Sequence, residues 1–177
     1  MRVHPNIPSK SEEAMIEVTL TSLAVDSRGL PVVILEPVAP AGEARRVLPI
    51  WIGTPEATAI MLAAEGATPP RPLVYDLMTT LLTRLGVSVA RVAITKLEEG
   101  TFHAEITLLT KDGEEVIDAR PSDSIALAAR TGAPIFVAEP VFAAAEVLDS
   151  ESAGGEESQL AAFHEFLDSV EPEDFSG

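Results

Sequence analysis

The sequence predicts an α+β domain: a mixed or antiparallel β-sheet packed with Ala/Leu-rich helices, followed by a flexible acidic C-terminal tail that ends in a helix. Three observations lead there. From Met15 onward, apolar and polar residues alternate with the period of half-buried strands. Turn signals such as Asp26-Ser27-Arg28-Gly29 and Glu98-Glu99-Gly100 join neighbouring strands as hairpins. Ala- and Leu-rich runs with helix start and stop signals interrupt the strands.

The elements follow in order. Residues 1–12, with Pro5 and Pro8, read as a disordered N-terminus, and 13–148 as the domain. Ile16, Val18, Leu20, Leu23 and Val25 mark a first strand, Val32 to Leu35 a second and Val47 to Ile52 a third, with a hairpin connection at Pro40 to Glu43. A helix starts with Thr54 as cap, Pro55 in the first helical position and Glu56 at the positive end, and stops near Gly66. Three prolines stiffen the loop around Arg71. A second helix carries Leu77, Met78, Leu81, Leu82 and Leu85 on one face and ends at Gly86. Residues 87–97 and 101–110 form a hairpin, and a further strand runs to Asp118.

Pro121 cannot continue that strand. Ser122 reads as the cap of a third helix with Asp123 in its first turn, and Gly132 ends it. This helix and the first share an Ala-rich pattern that suits close approach to one sheet. A short strand at 134–138 and a helix to about Leu148 complete the domain. The acidic linker 149–158 and an amphipathic helix over 159–177, with Leu160, Phe163, Leu167 and Val170 at helical spacing, form the tail.

Composition narrows the chemistry. The 177 residues are 46% apolar and contain no cysteine, which removes disulfides, thiolate metal sites and cysteine nucleophiles and fits a cytoplasmic protein. No signal-type apolar run opens the chain, and none is long enough to span a membrane. Net charge is −16, but residues 131–177 hold eleven acids and no Lys or Arg, so the first 130 residues carry only −5. The body is therefore not barred from nucleic acid by charge. His4, His103 and His164 have no zinc spacing, and neither a glycine-rich phosphate loop nor a nucleophile elbow is present.

The stretch from Asp118 to Ala128 places two carboxylates and a guanidinium around a strand-to-helix turn. Asp118, Asp123 and Glu56, with Asp76 nearby in type and setting, are candidate oxygen ligands for Mg²⁺ or Mn²⁺. Arg71 and Arg120 are candidate catalytic groups that would stabilise charge on a phosphate, beside Asp118 and Asp123. Helix capping with an Arg–Asp ion pair accounts for the same residues without a ligand.

Leu48-Pro49-Ile50-Trp51-Ile52-Gly53, Glu56-Ala57, Pro70-Arg71-Pro72, Asp76-Leu77, Leu85-Gly86, Thr101-Phe102 and Asp118-Ala119-Arg120-Pro121-Ser122-Asp123 occur in this order. The set resembles the bifunctional nuclease domain family of bacteria and plants, over roughly residues 15–148. The resemblance implies a compact α+β domain that self-associates as a homodimer or larger homo-oligomer. It also implies a hydrolase cleaving phosphodiester bonds, with RNA or single-stranded DNA as partner. Three positions depart from the family pattern: Val74 stands where a capping threonine is usual, Tyr75 where a histidine is usual and His103 where a tyrosine often follows Thr-Phe. A non-catalytic regulatory or interaction protein of the same fold, with the C-terminal helix docking a protein partner, is the alternative.

Overall fold

The computed structural model describes residues 14–39 and 46–152. Among them, seven strands and four helices follow in the order β1 (Met15–Val25), β2 (Pro31–Pro37), β3 (Leu48–Trp51), α1 (Thr54–Ala64), α2 (Val74–Arg84), β4 (Ser88–Glu98), β5 (Thr101–Thr110), β6 (Gly113–Ala119), α3 (Pro121–Thr131), β7 (Ile135–Ala138) and α4 (Glu139–Ser152). The strands form one sheet in the order β3-β2-β1-β7-β4-β5-β6. Two antiparallel meanders, β1-β2-β3 and β4-β5-β6, are joined by β7, which runs antiparallel to β1 and parallel to β4. The α+β class with a mixed sheet is the one the sequence predicts.

Alternation along paired strands gives the sheet one continuous apolar face. Val33 lies opposite Ile50 and Leu35 opposite Leu48; Val18 and Val92 flank Ile135; Ile106 lies opposite Val92. Ile60 of α1, Ile125 and Leu127 of α3 and Phe142 of α4 join these residues in one core. Ala57, Ala59, Ala126 and Ala128 are all buried, so small side chains let α1 and α3 approach each other and the sheet closely. Arg46, just before β3, contacts Glu139 at 2.9 Å and lies 4.6 Å from the centre of the Phe142 ring, fastening the β3 side to the start of α4.

The turn after β1 is organised by one carboxylate. Asp26 accepts hydrogen bonds from the backbone N–H groups of Arg28 (2.8 Å) and Leu30 (2.9 Å), from the Arg28 side chain and from Trp51 Nε1 (3.1 Å). The Leu30 amide, with the Arg28 and Trp51 donors adding to it, holds the Asp26 carboxyl at about 2.

Several local expectations shift. Gly53 and Arg120, not Thr54 and Ser122, are the N-cap residues of α1 and α3. In α3, Pro121 takes the first helical position, where its missing N–H costs nothing, and this moves Ser122 inside the helix. Helix α4 continues to Ser152, four residues into the segment expected as linker. The apolar stripe of α2 does not face this chain's core: Val74 (60%), Leu77, Leu81 and Leu85 (75%) are exposed, and only Leu82 packs against the buried cluster. Residues 1–12, the connection at 40–43, the rest of the linker and the terminal segment 159–177 lie outside the described residues.

These burials predict contrasting mutational costs. Ile60→Ala removes a fully buried side chain and is expected to cost about 2–5 kcal/mol. Leu81→Glu changes a half-exposed one and is expected to stay within about 0.5 kcal/mol if α2 faces water. Urea unfolding with light scattering checks both. A large loss for Leu81→Glu together with a fall in mass would mean that the α2 face is covered by another copy.

Candidate active site at three helix starts

Helices α1, α2 and α3 each carry an acid at their third residue: Glu56, Asp76 and Asp123. Anionic side chains are favoured there by the unpaired N–H groups and by the positive end of the helix dipole. Each acid also turns back toward its own cap residue. Glu56 lies over Gly53, where a Cβ would collide with the Glu56 carboxylate. Asp76 Oδ2 accepts the Leu73 N–H at 2.8 Å, so α2 is capped from within at Leu73, and Val74 is its first helical residue rather than its cap. Asp123 takes the side chain of its own cap, Arg120.

Arg120 links two of these helices. Its Nε donates to Asp123 Oδ2 at 2.7 Å, and its Nη2 donates both to Asp123 Oδ1 at 3.0 Å and to Glu56 Oε1 at 2.8 Å. Tyr75, the second residue of α2, completes the group by donating its hydroxyl to Asp123 Oδ1 at 2.8 Å. The Tyr75 side chain is buried, while that of Arg120 stays 67% exposed. A second ion pair lies beside the first: Arg130 of α3 contacts Asp76 Oδ1 through Nε at 2.8 Å, as a close charge contact rather than an aligned hydrogen bond.

The electrostatics follow from this geometry. The Arg120 guanidinium holds the Asp123 carboxyl below the usual carboxylate range; partial burial opposes this, and the Tyr75 hydroxyl reinforces it. Burial first, and the bond to anionic Asp123 second, push the Tyr75 phenol well above its ordinary value, so it remains a neutral donor. The hydrogen bonds to Asp123 and Glu56 raise Arg120 further.

The five sequence-predicted residues are placed differently. Glu56, Asp123 and Arg120 are brought together. Asp118 is not: it pairs in register with Glu105, between Ile117 and Ala119, whose partners Ile106 and Ala104 belong to the core face. Alternation therefore puts Asp118 on the opposite face of the sheet. The three-carboxylate metal set of Asp118, Asp123 and Glu56 is thus not assembled, and no group of three or more acids or histidines suited to a metal occurs among the described residues. Arg120 Nη2 already occupies the position between Asp123 Oδ1 and Glu56 Oε1 where a cation shared by both would sit. Arg71 is exposed on the loop before α2 and has no partner among the described residues.

Tyr75 and Arg130 were not among the residues singled out for the site. For Tyr75 the available signal was its place next to Asp76 at a helix start. Arg130 carried no local signal, because its partner lies 54 positions away. The open trough of about 1110 Å³ on the other sheet face is lined by Arg91, Glu105, Thr107, Val116 and Phe136 and does not include the Arg120 group.

A depressed Asp123 makes stability pH-dependent with a defined sign. The folded state favours the carboxylate, so this contribution is present above the unfolded value of about 3.9 and disappears as pH falls through the folded one. Asp26 acts in the same direction and loses its contribution between about 4 and about 2. Asp123→Asn is therefore expected to lower stability by a constant amount from about pH 5 upward, with the gap to the parent protein narrowing below about pH 4. Urea unfolding across that range measures it; a gap that widened in acid would contradict the assignment.

An uncharacterized protein of Mycobacterium tuberculosis, found in two strains, is 46% identical to this chain over 136 residues, covering 73% of this chain and 81% of the relative. Bifunctional nuclease 1 of Oryza sativa is 29% identical over 94 residues, covering 51% of this chain but only 28% of the rice protein, and a bifunctional nuclease of Oryza minuta matches to the same extent. The bifunctional nuclease domain itself matches residues 33–150, a span that includes all three helix starts and both ion pairs, and the chain belongs to that family.

Proposed function

We propose that this chain is a nuclease that hydrolyses phosphodiester bonds of RNA or single-stranded DNA at the Arg120 group. The observation that carries this reading is an oriented yet exposed guanidinium. Asp123 and Glu56 fix Nε and Nη2, while Nη1 makes no hydrogen bond among the described residues and is left for a phosphate oxygen. Arginine suits this duty because its planar fork keeps two carboxylates and still presents a donor to a third oxygen. Charge developing on the phosphoryl oxygens during attack by water would be stabilised by a donor already in place. Asp123 and Glu56 position Arg120, and Tyr75 positions Asp123. The family assignment and the names of the rice relatives support the same chemistry.

For Mg²⁺ or Mn²⁺, expected from the sequence, no set of three or more acids or histidines is assembled among the described residues, and no step is assigned to the ion. Asp118, on the other sheet face, receives no catalytic role. A cytoplasmic location and self-association through the exposed α2 stripe belong to the same proposal; no described helix is long and apolar enough to cross a membrane.

One observation favours a second reading. Every member of the Arg120 group is paired within the fold, so the group could serve only to tie helices together in a non-catalytic protein.

Cleavage of labelled single-stranded RNA and DNA distinguishes the readings. Arg120→Lys is expected to reduce the rate by about 10²–10³-fold, because the three donors of an ammonium cannot keep all three bonds to Asp123 and Glu56 and still reach a phosphate. Asp118→Asn is expected to match the parent protein. Absence of cleavage by folded parent protein would favour the non-catalytic reading, and loss of activity in Asp118→Asn would move the site to the other sheet face. Running each reaction with Mg²⁺, Mn²⁺ or chelator tests the ion directly. An absolute requirement would mean that substrate binding draws Arg120 away from its carboxylates.

A further inference from the structure

The loop from Ala67 to Leu73 is closed by a single ion pair. At its start, the Ala67 carbonyl accepts a hydrogen bond from Arg130 Nη1 at 3.2 Å. At its end, the Leu73 N–H donates to Asp76 Oδ2 at 2.8 Å. Arg130 and Asp76 are themselves in contact at 2.8 Å, with side chains only 17% and 19% exposed. The loop is thereby buckled at both ends, and Pro69, Pro70 and Pro72 restrict the backbone between them. Arg71, between two of these prolines, is exposed and has no partner among the described residues. The loop leads directly into Tyr75, which touches Asp123.

We propose that Arg71 is a pre-set contact to the sugar-phosphate backbone of a single-stranded nucleic acid, and that Asp76 and Arg130 are positioning residues for it. The inference rests on the nuclease reading and adds a second phosphate contact to the one at Arg120. An arginine on a free loop loses backbone and side-chain entropy on binding; here the prolines and the buckle remove the backbone part of that loss beforehand. The ligand class follows from the chemistry: a guanidinium fork with no acid paired to it among the described residues suits a polyanion whose charges repeat along a chain. A phosphate contact of this kind carries no base preference.

Binding of a short fluorescein-labelled oligothymidylate with cleavage-resistant phosphorothioate linkages, followed by anisotropy over a series of KCl concentrations, tests this apart from catalysis. Arg71→Ala is expected to weaken binding at low salt, to do so equally for an oligoadenylate, and to flatten the slope of log K against log salt by about 0.7, the value for one phosphate contact on a single strand. Arg71→Lys is expected to keep the slope. Asp76→Asn is expected to weaken binding in the parent protein but to add little in the Arg71→Ala background, because it acts through Arg71. A purely structural role for Asp76 would give the same loss in both backgrounds and would overturn the positioning claim. Arg71→Ala with unchanged affinity and slope, in a protein that binds the oligonucleotide, would overturn the contact alone. No binding by the parent protein at low salt would overturn both this inference and the nuclease reading.

Discussion

The ion pair of Arg120 with Asp123 and Glu56 is the contact around which the candidate site is arranged. Helices α1 and α3 are separated by 64 positions at this contact, and their starts would otherwise present two carboxylates to each other. Like charges at that range repel, and one guanidinium between them converts the repulsion into a link. Tyr75 then brings α2 to the same carboxylate without adding charge. The alanines between α1 and α3 permit the approach, and Arg120 sets which ends of the helices meet.

The repeated acid at the third helical residue explains why three separate segments can supply one site. Each acid is locally favourable where it stands, since the positive end of its own helix favours a carboxylate, and Asp76 also accepts the Leu73 N–H. The further contacts of Glu56 with Arg120, Asp76 with Arg130 and Asp123 with Tyr75 therefore join helices without introducing a charge that the local structure does not want. Gly53 shows how closely the two uses are fitted, because any side chain there would collide with the folded-back Glu56.

Much of this was legible in the sequence where the signal is local. Strand alternation, the hairpin turns, the helix limits set by Gly132 and Pro121, and the grouping of Arg120 with Asp123 all depend on neighbours within a few residues. The failures have a common physical cause. Asp118 was grouped with Asp123 because they are close in sequence, yet strand alternation places it on the opposite face from Ala119. Ser122 looks like a cap by residue type, but the ring of Pro121 decides where the helix begins. The α2 stripe has helical period, and period alone does not say whether a face meets this chain's core, water or another molecule. The place of β7 between two meanders, and the pairing of Arg130 with Asp76, are properties of the assembled sheet and left no local mark.

The energetics of the Arg120 group bear on what it is for. Exposed ion pairs contribute about 0–1 kcal/mol at most, and holding a long arginine side chain in one geometry costs entropy that offsets part of this. An arginine 67% exposed, held by two acids and a buried tyrosine, is therefore a poor device if its only task is stability. It is a good device for keeping a positive charge oriented at the surface with a donor to spare. The buckled loop has the same character: a half-buried ion pair and three prolines are spent on fixing a segment whose exposed cation, Arg71, makes no contact within the described fold. Two arginines held in place near the starts of the same helices, both turned to solvent, suit an extended anionic chain better than a structural role for either.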